Sequence, residues 1–274
     1  MVRDDLQEAG LDPLTPHSRN KDFVWQQPRG PLQIISEAQA RDYREIGGFV
    51  LTDAFSSDEL RPLIAELDAL EAEANTALQS LPEGQPSIAR HDKIVFSAHA
   101  VLRSPAARAF AAHSVFQQLC HDLIGGAVRL YWDQLVYKRP GTAEEFPWHQ
   151  DNGYTYVDPQ QYLTCWVALT DATEANGCPW IAPGRHQLGT LKHRWTDLGF
   201  SCMDAVEDAQ AMPLRAGSVA VFSSLTPHRT GPNLSTDLRR AYILQYAPDG
   251  ARVFPRMGPE HVANDADRQF LITP

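Results

Sequence analysis

The sequence predicts a mainly β protein: a double-stranded β-helix (jelly-roll or cupin-like) core with N-terminal helices packed on one sheet. Three observations predict it. Helix signals are confined to the first half of the chain. From about residue 127 onward, short strand patterns are separated by turn signals. There is no β-α alternation of the kind that builds a parallel doubly wound sheet. The 274 residues are 43% hydrophobic, enough for one sizeable core, and all-β folds with added helices commonly reach this size as one domain.

Residues 1–30 are polar, carry Pro13, Pro16, Pro28 and Gly30, and lack periodicity. They are expected to form an extended N-terminal arm, followed by a single domain over 31–274 with a helical part over about 36–125 and the β core over about 127–250. Ser36 and Gln39 form a capping box that opens a helix, and Gly47 marks its stop. Phe49-Val50-Leu51 reads as a short strand. A second box, Ser56 with Glu59, opens a longer helix whose stripe is Leu60, Leu63, Ile64, Leu67, Leu70, Ala74 and Leu78; Pro62 blurs its start. The carboxylates Glu66, Asp68, Glu71 and Glu73 read as the solvated face of that helix. A loop over 80–95 and two short helices, around 105–112 and 114–124, follow, ended by Gly125-Gly126. The clearest strands are 127–137, 162–170, 178–182, 218–224 and 239–247, with turns at Pro140-Gly141, Asn176-Gly177, Pro183-Gly184 and Gly231-Pro232. Both alternating faces of 162–170 are largely apolar, which predicts a central strand covered on two sides.

Lys plus Arg number 24 against 34 Asp plus Glu, a formal charge of −10, and no Lys/Arg run occurs. Nucleic acid and anionic membrane surfaces are therefore excluded as expected partners, which leaves a small-molecule substrate and a monomer or homodimer. The first residues lack a basic segment followed by an apolar run, and no stretch approaches the roughly 18 apolar residues of a membrane span. Cys120, Cys165, Cys178 and Cys202 show no C-x-x-C spacing, so free thiols in a reducing cytoplasm are expected.

The most informative segment is Phe146-Pro147-Trp148-His149-Gln150-Asp151. On a strand, residues two apart share a face about 7 Å apart along the backbone, so His149 and Asp151 would converge on one ion. A lone H-x-D is a weak signal, and a third ligand must come from elsewhere; His228, in Thr226-Pro227-His228-Arg229-Thr230, is the leading candidate. Two histidines and a carboxylate leave open positions on an octahedral ion, the arrangement of a non-haem Fe(II) oxygenase. Arg239 lies eleven residues after His228 at the start of a strand, and a guanidinium there suits a carboxylate. Its neighbour Arg240 must face the other way. His186, in the P-G-R-H turn, reads as a hydrogen-bonding residue. No G-x-S-x-G, Walker A or G-x-G-x-x-G motif is present.

W-H-Q-D, a distal T-P-H-x-T and an Arg eleven residues on, taken together, resemble the phytanoyl-CoA dioxygenase family of Fe(II)/2-oxoglutarate oxygenases. The resemblance covers about 35–247 and includes the Y-K-R-P-G step and N-G-C-P-W-I-A-P-G-R-H. It implies that His149, Asp151 and His228 ligate Fe(II) and that Arg239 pairs with the far carboxylate of 2-oxoglutarate. It also implies that Thr230, Trp166, Gln134 and Lys93 contribute further co-substrate contacts. The implied activity is hydroxylation of a small molecule by O₂, with release of succinate and CO₂. Desaturation, cyclisation or epimerisation at the same iron site is the alternative, and an inactive jelly-roll binding module is the reading from a different class. Substrate specificity is expected from the 80–95 loop with Arg90 and His91, from Trp132, Phe146, Asn152 and Tyr154, and from 190–212.

Overall fold

A computed structural model of the protein describes residues 14–27, 30–80 and 88–274. The chain runs through α1 (Glu37–Glu45), β1 (Gly48–Leu51), α2 (Ser57–Gln79), β2 (Ile94–Ala98), α3 (Pro105–Ala111), α4 (Ser114–Leu123), β3 (Val128–Lys138) and β4 (Phe146–His149). It continues with α5 (Asp151–Tyr154), β5 (Tyr156–Asp158), β6 (Leu163–Ala168), β7 (Pro179–Ile181), β8 (Arg194–Thr196), β9 (Gly199–Ser201) and β10 (Gln210–Ala211). The last elements are β11 (Val219–Ser223), β12 (His228–Thr230), β13 (Arg239–Pro248), β14 (Arg252–Phe254), β15 (His261–Val262) and β16 (Leu271–Thr273).

Both capping boxes form. The Ser36 hydroxyl accepts from the Gln39 amide while the Gln39 side chain accepts from the Ser36 amide, and Ser56 and Glu59 repeat the exchange. The first helix ends before Gly47, whose φ of +93° favours glycine; a Cβ there would also lie 2.6 Å from His186 Nδ1.

Two antiparallel sheets face each other, as expected of a jelly roll. The major sheet has the order β1-β11-β6-β13-β3-β16, with β2 also on β3; the minor sheet has the order β10-β7-β12-β4. Alternation along β13 divides the core. Tyr242, Leu244 and Tyr246 point outward and pack with Leu63, Leu67, Phe110 and Phe116 of the helices. Ala241 and Ile243 point inward and pack with Trp166, Ile181 and Phe222 between the sheets. The central strand read from both apolar faces is β6, buried along its whole length between β11 and β13. Beyond the last of the clearest expected strands, β14 and β15 join β5 in a small third sheet and β16 pairs with β3.

The reading of Glu66, Asp68, Glu71 and Glu73 as a solvated face holds for Glu73, which is exposed and pairs with Arg103, and is corrected for the other three. Asp68 binds Arg240 and the Tyr137 hydroxyl, Glu71 is buried and binds Arg139, and Glu66 accepts from Ser104. These carboxylates tie α2 to the major sheet and to α3. Burial pushes the Glu71 carboxyl upward and Arg139 opposes that shift.

Within the N-terminal arm, residues 1–13 and 28–29 lie outside the described residues. The rest lies on the body: Pro16 bridges Leu191, His17 stacks on Tyr156 at 4.9 Å, and Trp25 packs against Tyr43 and His186. All four cysteines are free and buried. Among the described residues no helix is long and apolar enough to cross a membrane.

Candidate metal centre

His149 ends β4 and His228 begins β12, and the antiparallel register sets them directly opposite each other. Their rings lie 4.1 Å apart, next to a register shift between His228 and Thr230, an irregularity of the sort that redirects side chains at functional sites. The expectation that His149 and Asp151 share one strand face is corrected. The strand stops at His149, and Asp151 is the first residue of the one-turn helix α5. That turn swings the carboxylate back, so that ligand atoms of His149, Asp151 and His228 all lie within 4.8 Å of one another.

No local sequence pattern marks Gln150, and its contacts explain why the turn forms there. Its buried side chain donates to the Gly189 and Leu225 carbonyls and accepts from the Leu191 amide, while its own amide donates to His193 Nε2. His193 lies so close that a Cβ on Gly153 would sit 2.0 Å from its ring, so only glycine fits there. Asn152, expected at the substrate mouth, is instead buried and bonds Val157 and Thr190.

Hydrogen bonding prepares the ligand atoms. Nδ1 of His149 donates to the Pro147 carbonyl at 2.8 Å, and Nδ1 of His228 donates to Thr226 at 3.0 Å. This tautomer leaves each Nε2 as a bare lone pair, and His228 Nε2 lies 3.8 Å from the Asp151 carboxylate. Burial lowers the pKa of His149 to about 3 and that of His228 to about 4, which keeps both imidazoles neutral. Burial raises the pKa of Asp151, and His149, Thr164 and Gln245 oppose the shift; Thr164 donates to Asp151 Oδ2 at 2.5 Å. Two neutral nitrogens and one carboxylate are the donor set of a 2-His-1-carboxylate iron site.

Beyond this cluster a narrow cleft runs between the sheets, lined by Gln134, Trp166, Thr230 and Arg239 among others. Arg239 points into it and is fully buried. Its Nη1 makes a single 3.3 Å bond to the Gly177 carbonyl, its Nε and Nη2 have no partner among the described residues, and its guanidinium carbon lies 5.2 Å from the Trp166 ring centre. Such a charge is costly to bury without an anion, so the site fits a carboxylate ligand. Arg240 faces the opposite way, onto Asp68. Lys93 is corrected: it pairs with Glu144 at 2.6 Å, is 54% exposed and does not line the cleft. The second cation of the cleft is Lys138, opposite Arg239 in the β3–β13 register and bonded to the Gly231 and Glu144 carbonyls. Burial, and then Arg239, lower its pKa to about 7. Its position on an inward-facing strand register was the signal that could have found it.

A larger cavity of about 580 Å³ opens on the other side of the cluster. Trp132, Phe146 and Tyr154 line it as expected, together with Trp195 of the 190–212 segment and Ile88 and Ala89 of the 80–95 loop. Arg90 and His91 do not: Arg90 bonds the Asp197 carbonyl and His91 bonds Gln79. Residues 81–87 of that loop lie outside the described residues.

The chain is similar to known proteins in sequence and in fold. The sequence profile of the phytanoyl-CoA dioxygenase family matches residues 43–241. A phytanoyl-CoA dioxygenase of Arabidopsis thaliana is 29% identical over 166 residues, covering 58% of this chain and 58% of that protein, less than two thirds of its length. A methylphosphonate hydroxylase of Gimesia maris is 27% identical over 221 residues, covering 77% of this chain and 80% of the relative. The solved structure of a non-haem α-ketoglutarate-dependent carbocyclase from nogalamycin biosynthesis superimposes with a TM-score of 0.73 at 23% identity, covering 89% of this chain and 100% of that one, a likeness in fold.

Proposed function

The chain belongs to the phytanoyl-CoA dioxygenase family, and we propose that it is an Fe(II)- and 2-oxoglutarate-dependent dioxygenase that hydroxylates a small molecule. The observation that carries this reading is the buried His149, Asp151 and His228 cluster beside a guanidinium, that of Arg239, with two unpartnered donors. When bound, iron supplies the activation of O₂ against 2-oxoglutarate, which leaves as succinate and CO₂ while one oxygen atom enters a substrate C–H bond.

The rest of the work falls to the chain. His149 and His228 present Nε2 because their Nδ1 protons are held by backbone carbonyls. Thr164 and Gln245 hold the Asp151 carboxylate in one orientation. Arg239 takes the far carboxylate of 2-oxoglutarate, Thr230 lines the same cleft with a hydroxyl to donate, and Trp166 forms a flat wall. As a metal ligand, the Asp151 carboxylate would fill a place that a halide would need, which favours oxygenation over halogenation.

The experiment is turnover with candidate small molecules under ¹⁸O₂, scored by succinate formation and product mass. Hydroxylation adds one labelled oxygen. Loss of two hydrogens moves the chain to the desaturase or cyclase reading, and an unchanged mass with inverted stereochemistry moves it to epimerisation. Failure to form succinate with or without substrate, from protein shown to hold iron, would mean an inactive binding module.

A further inference from the structure

The 580 Å³ cavity indicates what kind of molecule the site oxidises. Its volume lies within the roughly 300–1,000 Å³ of typical small-molecule sites. Half of its fourteen lining residues are Phe, Tyr or Trp: Phe96 and Phe146, Tyr131 and Tyr162, and Trp132, Tyr154 and Trp195. The rings brace one another. Phe96 and Phe146 lie 5.5 Å apart, Tyr131 and Tyr162 meet edge-to-face at 5.4 Å, and Phe200 joins Tyr154 to Trp195 at 5.2 and 4.9 Å. Pre-set aromatic walls of this kind favour flat or ring-bearing ligands.

Charge selects in the same direction. Among the described residues no Lys or Arg lines the cavity, and its one carboxylate is Asp151 of the metal cluster. Nearby cations are already engaged: Arg256 donates to the Gly153 carbonyl, Arg90 to the Asp197 carbonyl, and Arg268, whose charge reaches the Tyr131 hydroxyl, pairs with Asp265. An anionic substrate would shed its hydration on entry and meet no unengaged cation among the described residues.

Polar groups are few and placed. The Tyr154 hydroxyl accepts from the Phe200 amide, and Gln134 accepts from Trp132 Nε1. The hydroxyls of Tyr131 and Tyr162 have no hydrogen-bond partner among the described residues, although both side chains line the cavity.

We propose that this cavity takes an uncharged, ring-bearing molecule, presenting a carbonyl or hydroxyl oxygen to the Tyr131 and Tyr162 hydroxyls. The inference rests on the oxygenase reading and names its substrate class. It also separates this chain from what the names of its relatives imply for them, an acyl-CoA or a methylphosphonate.

The test is anaerobic binding to the protein carrying Fe(II) and 2-oxoglutarate, followed by tryptophan fluorescence, since Trp132 and Trp195 line the cavity. Uncharged probes are 9-fluorenone, fluorene and 1-hydroxyanthraquinone; charged probes are methylphosphonate, octanoyl-CoA and tetramethylammonium. The expectation is that at least one uncharged ring probe binds about tenfold or more tightly than any ion. Trp195→Ala should weaken that probe about tenfold and Trp195→Phe should restore most of the loss. Tyr162→Phe, or Tyr131→Phe should the first fold poorly, should weaken fluorenone while leaving fluorene unchanged. An ion as the tightest probe, or no uncharged probe bound at all, overturns the inference. The visible absorption of Fe(II) with 2-oxoglutarate, read in the same samples, keeps the two levels apart. If it persists while the ring probes fail, the oxygenase reading stands and the substrate class falls; if it never forms, both fall.

Discussion

Replacing Arg239 should cripple co-substrate binding while sparing the fold. The guanidinium is fully buried, makes one bond of 3.3 Å and leaves Nε and Nη2 without partners. Losing a buried, hydrogen-bonded charge pair costs about 2–5 kcal/mol, so Arg239→Ala should weaken 2-oxoglutarate roughly thirtyfold to several-thousandfold. Arg240, next in sequence, faces α2 and pairs with Asp68 across partly exposed side chains. An ion pair of that kind contributes about 0.2–1 kcal/mol, all of it to stability, so Arg240→Ala should leave the affinity near that of the parent. The assay is anaerobic calorimetric titration of 2-oxoglutarate into Fe(II)-loaded protein. A second sign comes from the ligand-free fold. Arg239→Met removes an uncompensated buried charge at similar bulk and should not lower the melting temperature, whereas the stabilisation by 2-oxoglutarate should disappear. A more damaging Arg240→Ala, or an Arg239→Met that loses stability and keeps its affinity, would refute this role for Arg239.

His149→Ala and His228→Ala should each abolish succinate formation with little change in melting temperature, because the apolar core between and outside the sheets carries the fold; retained turnover in both would dismiss the ligand assignment. Asp68→Ala removes the acceptor of both Tyr137 and Arg240 and should cost about 1–3 kcal/mol in urea unfolding while 2-oxoglutarate affinity holds. His186 gives a pH signature. Burial lowers its pKa from 6.5 to about 4, so between those values the unfolded chain binds a proton that the folded chain refuses. Its share of stability is complete above pH 6.5 and is lost as pH falls toward 4, and the melting temperature of His186→Gln should therefore decline less steeply over that window. Turnover in concentrated chloride should yield no chlorinated product, as read by mass spectrometry.

Much of this was legible in the sequence because it is local. Capping boxes at Ser36 and Ser56, the stripe of α2 and the alternation of β6 depend on residues a few positions apart, and each formed. The opposite orientations of Arg239 and Arg240 follow from the two-residue period of a strand. What misled was tertiary. Strand periodicity placed Asp151 beside His149, but His193 and the side-chain bonds of Gln150 turn the chain into α5 first. The carboxylates of α2 look solvated until the major sheet brings Arg139, Tyr137 and Arg240 across to them. Lys93 matched by position in the chain, yet Glu144 draws it outward and Lys138 stands in the cleft. The aromatic cavity draws on residues from 88 to 245, a separation over which no local pattern is visible.

The most direct test of the central claim is a crystal structure of protein prepared anaerobically with Fe(II) and 2-oxoglutarate, with data collected across the iron absorption edge. One anomalous peak is expected, held by Nε2 of His149, Nε2 of His228 and a carboxylate oxygen of Asp151. The far carboxylate of 2-oxoglutarate is expected against Nε and Nη2 of Arg239, which have no partner among the described residues. Iron bound elsewhere, or 2-oxoglutarate bound away from Arg239, would overturn these assignments.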